Sequence, residues 1–291
     1  MRVEVSRTIG VMEKALPSRW REHLYGLTPE RWKGLAGKSF WITGAGTGYG
    51  RSLTVALASA GARVFLTGRR VEKLKETLEE MRSLGISAGD CCMVPADITD
   101  VMEVTAACNE IGRLSASLNG LVNNAAIPAR GELTGPLQDE SVEYWERIMS
   151  TNLRAPWFLT REIFPHMRKA GGARVLFITS EAGWANTHGF GPYNVSKAGL
   201  NSLCASMAEE YAGSFPGLDV QMNALIPGEA RTEMNRTSLE SPYSIVSMAL
   251  ILLSHPEGGP NGKFFHRDGR SVEFCYSRPY ERPLMQGGIL A

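Results

Sequence analysis

The segment Thr43-Gly44-Ala45-Gly46-Thr47-Gly48-Tyr49-Gly50 limits the possible folds more than any other part of this chain. It follows a short apolar run, SFWIT (39–43), and opens a stretch with helical spacing, RSLTVALASAG (51–61). Glycines are needed where a chain turns sharply from strand to helix. They also let backbone approach a pyrophosphate and let a helix pack hard on a sheet. The following helix then offers its positive N-terminal end to the phosphates. With 31 glycines in 291 residues, clusters arise by chance, so the strand–turn–helix context carries the meaning. Gly44, Gly46, Thr47, Gly48, Tyr49 and Gly50 are therefore assigned to a phosphate cradle.

The rest of the chain repeats the same rhythm. Strand candidates are SFWIT (39–43), ARVFLT (62–67), CMVPAD (92–97), LNGLVNNA (118–125), ARVLFITS (173–180), DVQMNALIP (219–227) and KFFHRD (263–268). Nearly continuous apolar runs indicate strands buried on both faces, hence a parallel sheet covered by helices. Alternation with helical stretches such as VEKLKETLEEMRSLG (71–85) predicts one doubly wound α/β domain. Its sheet is expected to be seven-stranded and mostly parallel, with helices on both faces and ligand-binding loops along one edge. The expected division is an N-terminal helical extension (1–36), a catalytic domain (37–270) and a C-terminal tail (271–291). In the extension, Thr28-Pro29 suits the start of a surface helix. The tail, with two prolines and a glycine pair, reads as extended.

Composition removes several function classes. Thirty-one basic against 30 acidic residues give a net charge of +1, so nothing points to nucleic acid or an anionic membrane surface. No apolar run approaches the roughly 18 residues of a spanning helix, and the N-terminus lacks a signal-peptide core. Five cysteines without CxxC, and five histidines without ligand spacing, suggest neither a disulfide framework nor a metal site. A reducing cytoplasm is the expected location.

The cofactor type is read from the end of the second strand, Thr67-Gly68-Arg69-Arg70, where no carboxylate occurs before Glu72. A carboxylate there would bind the ribose 2′-hydroxyl of NAD. A guanidinium fork suits the 2′-phosphate of NADP, so NADP(H) is expected, with Arg69 and Arg70 at the phosphate. Both arginines could instead be solvated at a helix start. Asp97, followed by Ile98, ends the third strand. It is a partner for the adenine amino group, or else caps the helix beginning near Thr99.

Tyr193 and Lys197 stand four residues apart in a helical stretch and so share one face. A phenol is a poor acid or base at neutral pH, and a neighbouring ammonium favours its ionised form. Ser180 closes the fifth strand thirteen residues earlier, where its hydroxyl could hold a carbonyl oxygen developing negative charge. Phe190, Trp184 and Tyr243 are candidates for an apolar substrate wall.

Taken together, residues 36–270 resemble the short-chain dehydrogenase/reductase family, whose fold is Rossmann-type. The similarity rests on Thr43-Gly44-xxx-Gly48-x-Gly50, Asp97, Asn123-Asn124-Ala125, Asn152, Ser180, Tyr193-xxx-Lys197 and Pro227-Gly228-xxx-Thr232. The resemblance implies a tetrad of Asn152, Ser180, Tyr193 and Lys197. Tyr193 would be the general acid or base, with Lys197 at the nicotinamide ribose and lowering the tyrosine pKa. Ser180 would orient the carbonyl, and Asn152 would hold a water relaying protons to Lys197. Thr232 would meet the nicotinamide carboxamide beside Pro227 and Gly228, and Asn124 would lie along the cofactor. The chain has Ala126 where the family usually has glycine, and Ser241-Pro242 follows the Pro227-Gly228 turn closely.

The function so implied is hydride transfer between NADP(H) and a small-molecule carbonyl or secondary alcohol. Two other readings have distinct signatures. A cofactor-binding sensor or scaffold would carry a damaged tetrad; an epimerase or dehydratase would retain its cofactor with no net redox change. The resemblance also implies a homodimer or homotetramer. Ala198, Leu200, Leu203 and Met207 could supply a subunit face or could pack on the sheet.

Overall fold

Each of the seven apolar runs becomes a strand, and all seven lie parallel in one sheet. The structure, a computed structural model, describes residues 17–129, 137–185 and 187–273, with two short strands at 285–286 and 289–290. In chain order the parallel strands are β1 (Ser39–Thr43), β2 (Arg63–Thr67), β3 (Cys91–Met93), β4 (Gly120–Asn123), β5 (Gly172–Ile178), β6 (Asp219–Ile226) and β7 (Phe264–His266). Successive side chains go to opposite faces, and both faces are covered. Phe40 and Ile42 enter one core cluster while Trp41 enters the other, and Val64 and Leu66 alternate likewise with Phe65.

An eighth strand corrects the expected seven. β8 (Ser271–Val272) pairs antiparallel with β7, Phe264 opposite Val272. The connecting turn has Gly269 at φ 88°, and the His266 amide donates to the Arg270 carbonyl at 2.8 Å. Asp268-Gly269 is a hairpin signal, but two residues of strand are too few to show a period. The tail therefore starts inside the sheet. Most of it, like residues 1–16, lies outside the described residues; β9 (Met285–Gln286) and β10 (Ile289–Leu290) pair antiparallel.

The strands run in the order β3-β2-β1-β4-β5-β6-β7-β8. The connection therefore changes direction between β1 and β4, the place where a crevice opens in such sheets. The helices that carry the site are α3 (Gly48–Ser59), α4 (Val71–Ser83), α5 (Val101–Leu114) and α8 (Pro192–Ser214). Before them come α1 (Pro17–Glu22) and α2 (Pro29–Lys33); α6 (Val142–Met149), α7 (Ala155–Met167) and α9 (Val246–Leu253) are the other α-helices among the described residues. On α8, Leu200 and Met207 are buried in the cluster shared with the sheet, which takes them from a subunit face.

The described part of the extension, residues 17–36, packs onto the domain. Thr28 accepts from the Arg31 amide as expected of a cap, with Pro29 first in α2. Yet Trp20, Tyr25, Leu27 and Leu35 are buried among residues of α3 and α9. Tyr243 belongs to this group rather than to a substrate wall. Its ring stacks on Tyr25, 6.4 Å between centroids and 12° between planes, and its hydroxyl donates to Glu80 at 2.8 Å. Trp184 also turns from the expected wall, packing edge-on against Phe264 and donating to the Glu273 carbonyl. Phe190 alone of the three stands beside Tyr193, ring centroids 6.1 Å apart.

Candidate active site

The glycine turn is shaped by Asn124. Its amide donates to the Thr43 carbonyl at 2.8 Å and to the Gly44 carbonyl at 3.3 Å. The Thr43 hydroxyl accepts from the Asn124 and Ala125 amides, both at 3.1 Å, so the ends of β1 and β4 are stitched together. Gly44 has φ 67°, and a Cβ there would sit 2.8 Å from the Asn124 amide nitrogen. At Gly50 a Cβ would meet the Gly44 carbonyl oxygen at 2.2 Å, which no rearrangement of a side chain relieves. These contacts show why glycine is required at both places. Arg51 fixes the outer arm of the turn through the Gly46 carbonyl and pairs with Glu76 at 2.8 Å.

Over this turn lies a crevice of ≈ 390 Å³. Gly44, Gly46, Thr47, Gly48, Tyr49 and Asn124 line it around the β1–β4 switch. Arg69, Arg70, Asp97 and Ile98 line it on the β2–β3 side, and Tyr193, Lys197, Pro227 and Thr232 on the β5–β6 side. Four expected residues stand behind its wall. Gly50 is covered by the turn, and Gly228 accepts from the Tyr49 hydroxyl at 2.8 Å. Ser180 and Asn152 are also set back from it. The crevice adds residues that motif reading did not single out, chiefly Lys73, Glu233 and Met234. Lys73 lies in the first turn of α4, three residues after Arg70 at its N-cap, a spacing that could have suggested it. Glu233 had no comparable signal.

On the nucleotide side both arginines face carboxylates. Arg69 is 3.6 Å from Asp97, and Arg70 is 2.6 Å from Glu233. Asp97 closes its own turn by accepting from the Thr99 amide at 2.9 Å and hydroxyl at 2.7 Å. Burial works against its charge, but those bonds and Arg69 hold its carboxyl below the usual range. The helix cap is Asp100 instead, accepting from Met102 and Glu103.

At the other end, Lys197 is only 3% exposed, and its Nζ donates to the Ile178 carbonyl at 2.9 Å. Burial among apolar neighbours draws its pKa down to about 8. The ammonium stands 5.6 Å from the centre of the Tyr193 ring. Burial also pushes the Tyr193 phenol up to about 12, with the hydrogen bond to Ser180 working the other way and Glu181 adding to the rise. Burial is the largest of these influences on the phenol. Ser180 starts a short 3-10 turn, accepting from the Ala182 amide at 3.2 Å.

Asn152 lies in a π-helical turn, Ser150–Arg154, between α6 and α7, and is buried. Its side chain pairs both ways with Ile127, at 2.9 and 3.0 Å, and donates to the Ser196 hydroxyl at 3.2 Å. It therefore joins the loop after β4 to the N-terminal part of α8, which carries Tyr193 and Lys197. Among the described residues no group of acidic, histidine and cysteine side chains could hold a metal, and no helix is long and apolar enough to cross a membrane.

Comparison with known proteins places this geometry. The chain is 30% identical over 204 residues to human dehydrogenase/reductase SDR family member 4, covering 69% of each chain. It is 33% identical over 199 residues to an uncharacterized oxidoreductase of Thermotoga maritima, covering 68% of this chain and 73% of that one. A solved structure from Beutenbergia cavernae, a proposed NAD(P)-dependent gluconate 5-dehydrogenase with bound NADP at low occupancy, superposes with a TM-score of 0.69 at 27% identity. That match covers 80% of this chain and 96% of the other. The family model for short chain dehydrogenases matches residues 38–242, the stretch that runs from β1 through the whole of the crevice. That match covers more than half of the chain, and the chain belongs to the short-chain dehydrogenase/reductase family.

Proposed function

We propose that this enzyme transfers hydride between NADP(H) and the carbonyl or secondary alcohol carbon of a small molecule. The observation that carries the reading is the single crevice that holds the glycine turn and the arginines toward one side and Tyr193 with Lys197 toward the other. A dinucleotide fits its residues. The turn leaves no room for a Cβ at Gly50, so backbone can come close to phosphate, and two guanidinium groups flank the β2 end. When bound, the nicotinamide supplies or accepts the hydride.

The chain's own groups do the rest. The Tyr193 hydroxyl, protonated at neutral pH as any phenol is and held so more firmly by burial, gives its proton to the substrate oxygen in reduction. Ser180, hydrogen-bonded to Tyr193, holds that same oxygen as negative charge develops. Lys197 binds the nicotinamide ribose and supplies the positive charge that stabilises the phenolate left behind. Asn152 is the water-holding member of the tetrad, tied by Ser196 to the helix bearing the other two. Asn124, Pro227, Gly228 and Thr232 keep the cofactor's path open between β4 and β6. Arg69 and Arg70 meet the 2′-phosphate, and Asp97 with Ile98 meets the adenine. A homodimer or homotetramer in the cytoplasm is the proposed setting, supported by the family and by the free cysteines at 91, 92, 108 and 204.

The test is NADPH consumption over ketones, quinones, keto-acyl thioesters and keto sugars, with wild type and Tyr193→Phe side by side. Removing the phenolic proton should lower turnover by roughly 10²- to 10⁴-fold. NADP⁺ affinity, followed by intrinsic fluorescence, should stay within about twofold, since lost proton transfer is not lost binding. Retained turnover in Tyr193→Phe overturns the mechanism.

A further inference from the structure

Glu233 and Arg70 are 163 residues apart in the chain, yet their side chains meet at 2.6 Å where both line the crevice. Glu233 sits in a tight turn that Thr232 closes, its hydroxyl accepting from the Met234 and Asn235 amides at 3.2 Å each. Arg70 holds its carboxyl below the ordinary range by direct hydrogen bonding, and the charges of Lys73 and Arg236 add to the effect. Three cations thus bear on one carboxylate at the nucleotide side of the site. Both members of the pair are substantially exposed, 57% for Arg70 and 43% for Glu233, and exposed pairs of this kind are weak and readily exchanged.

We infer that Glu233 is a specificity-determining residue that competes with the ribose 2′-phosphate for Arg70. The inference rests on the NADP(H) reading and adds to it a residue on the facing wall. A phosphate monoester carries nearly two negative charges and three acceptor oxygens, so it replaces a single carboxylate at a guanidinium with gain. A ribose hydroxyl has neither, and NAD(H) has to bind beside the intact pair. Glu233 therefore lowers the advantage that Arg70 gives NADP(H). Because Glu233 adjoins Thr232, the exchange also releases the turn beside the proposed nicotinamide contact from the β2 side.

Calorimetric titration of the full chain with adenosine 2′,5′-bisphosphate and with 5′-AMP isolates the 2′-phosphate. Glu233→Gln should tighten the bisphosphate about two- to fivefold and leave 5′-AMP unchanged. Glu233→Lys should tighten it at least as much. In an Arg70→Ala background the effect of Glu233→Gln should shrink, the coupling expected of direct partners. The inference is overturned if Glu233→Gln leaves the bisphosphate unmoved, weakens it, or shifts both ligands alike. A wild type that binds bisphosphate no more tightly than 5′-AMP defeats the NADP(H) reading and this inference together. A wild-type preference that Glu233→Gln does not change defeats the inference alone.

Discussion

The two ends of the crevice hold positive charge in opposite ways. On the β2 side Arg69 and Arg70 are exposed, and each faces a carboxylate from elsewhere in the chain. On the β5 side Lys197 is buried, with the Ile178 carbonyl as the partner of its ammonium. An exposed pair costs little to form or open, which suits recognition of an exchangeable anion. A buried ammonium is costly to keep charged, which suits a group whose proton affinity must be movable. Between them the glycine turn is held by packing and by the side chains of Asn124, Thr43 and Arg51 bonding to backbone.

That contrast can be broken at three points. The largest effect, on stability and cofactor binding together, is expected at the turn. Gly50→Ala puts a methyl against the Gly44 carbonyl, and forced overpacking of this kind costs about 1–3 kcal/mol or more. Urea unfolding should show the loss, and NADP⁺ affinity should fall with it. A stable Gly50→Ala protein with normal affinity would show that the turn tolerates displacement.

Next comes Lys197→Met, read as a function of pH. The folded pKa of about 8 lies below the ordinary 10.5, so the folded chain sheds this proton before the unfolded chain does. Between those values the unfolded state binds more protons, and stability of the wild type relative to Lys197→Met should therefore rise with pH. Below pH 8 the cost of the buried charge is present in full. Over the whole window the change should be on the order of 3 kcal/mol. A flat difference between the two unfolding curves from pH 7 to 10 would mean that Lys197 is not strained by burial.

The smallest effect on stability belongs to the exposed side. Arg70→Ala should change unfolding free energy by no more than about 0.5 kcal/mol, as expected for a surface pair. Its consequence should appear in ligand choice: NADP⁺ weakens by roughly tenfold while NAD⁺ is nearly unaffected, in line with loss of one charge-assisted contact. Equal weakening of both dinucleotides would place Arg70 outside the phosphate site.

The seven parallel strands were legible because burial on both faces leaves continuous apolar runs, and the glycine turn because backbone geometry restricts residue type locally. The hairpin strand at Ser271–Val272 was not, since Asp268-Gly269 precedes too short a run to show alternation. Tyr243 was misplaced for a related reason. An aromatic residue near a site motif reads as a wall, while its burial against Tyr25 depends on where the N-terminal extension docks.

The sequence by itself determined the fold class, the place of the glycine turn and which residue types could transfer a proton, because each depends on local spacing or on a single side chain's chemistry. Tertiary structure alone decided the proton affinities of Tyr193 and Lys197, since desolvation is set by everything packed around a group. It alone also brought Glu233 to Arg70, an encounter made by chain segments that share no local pattern.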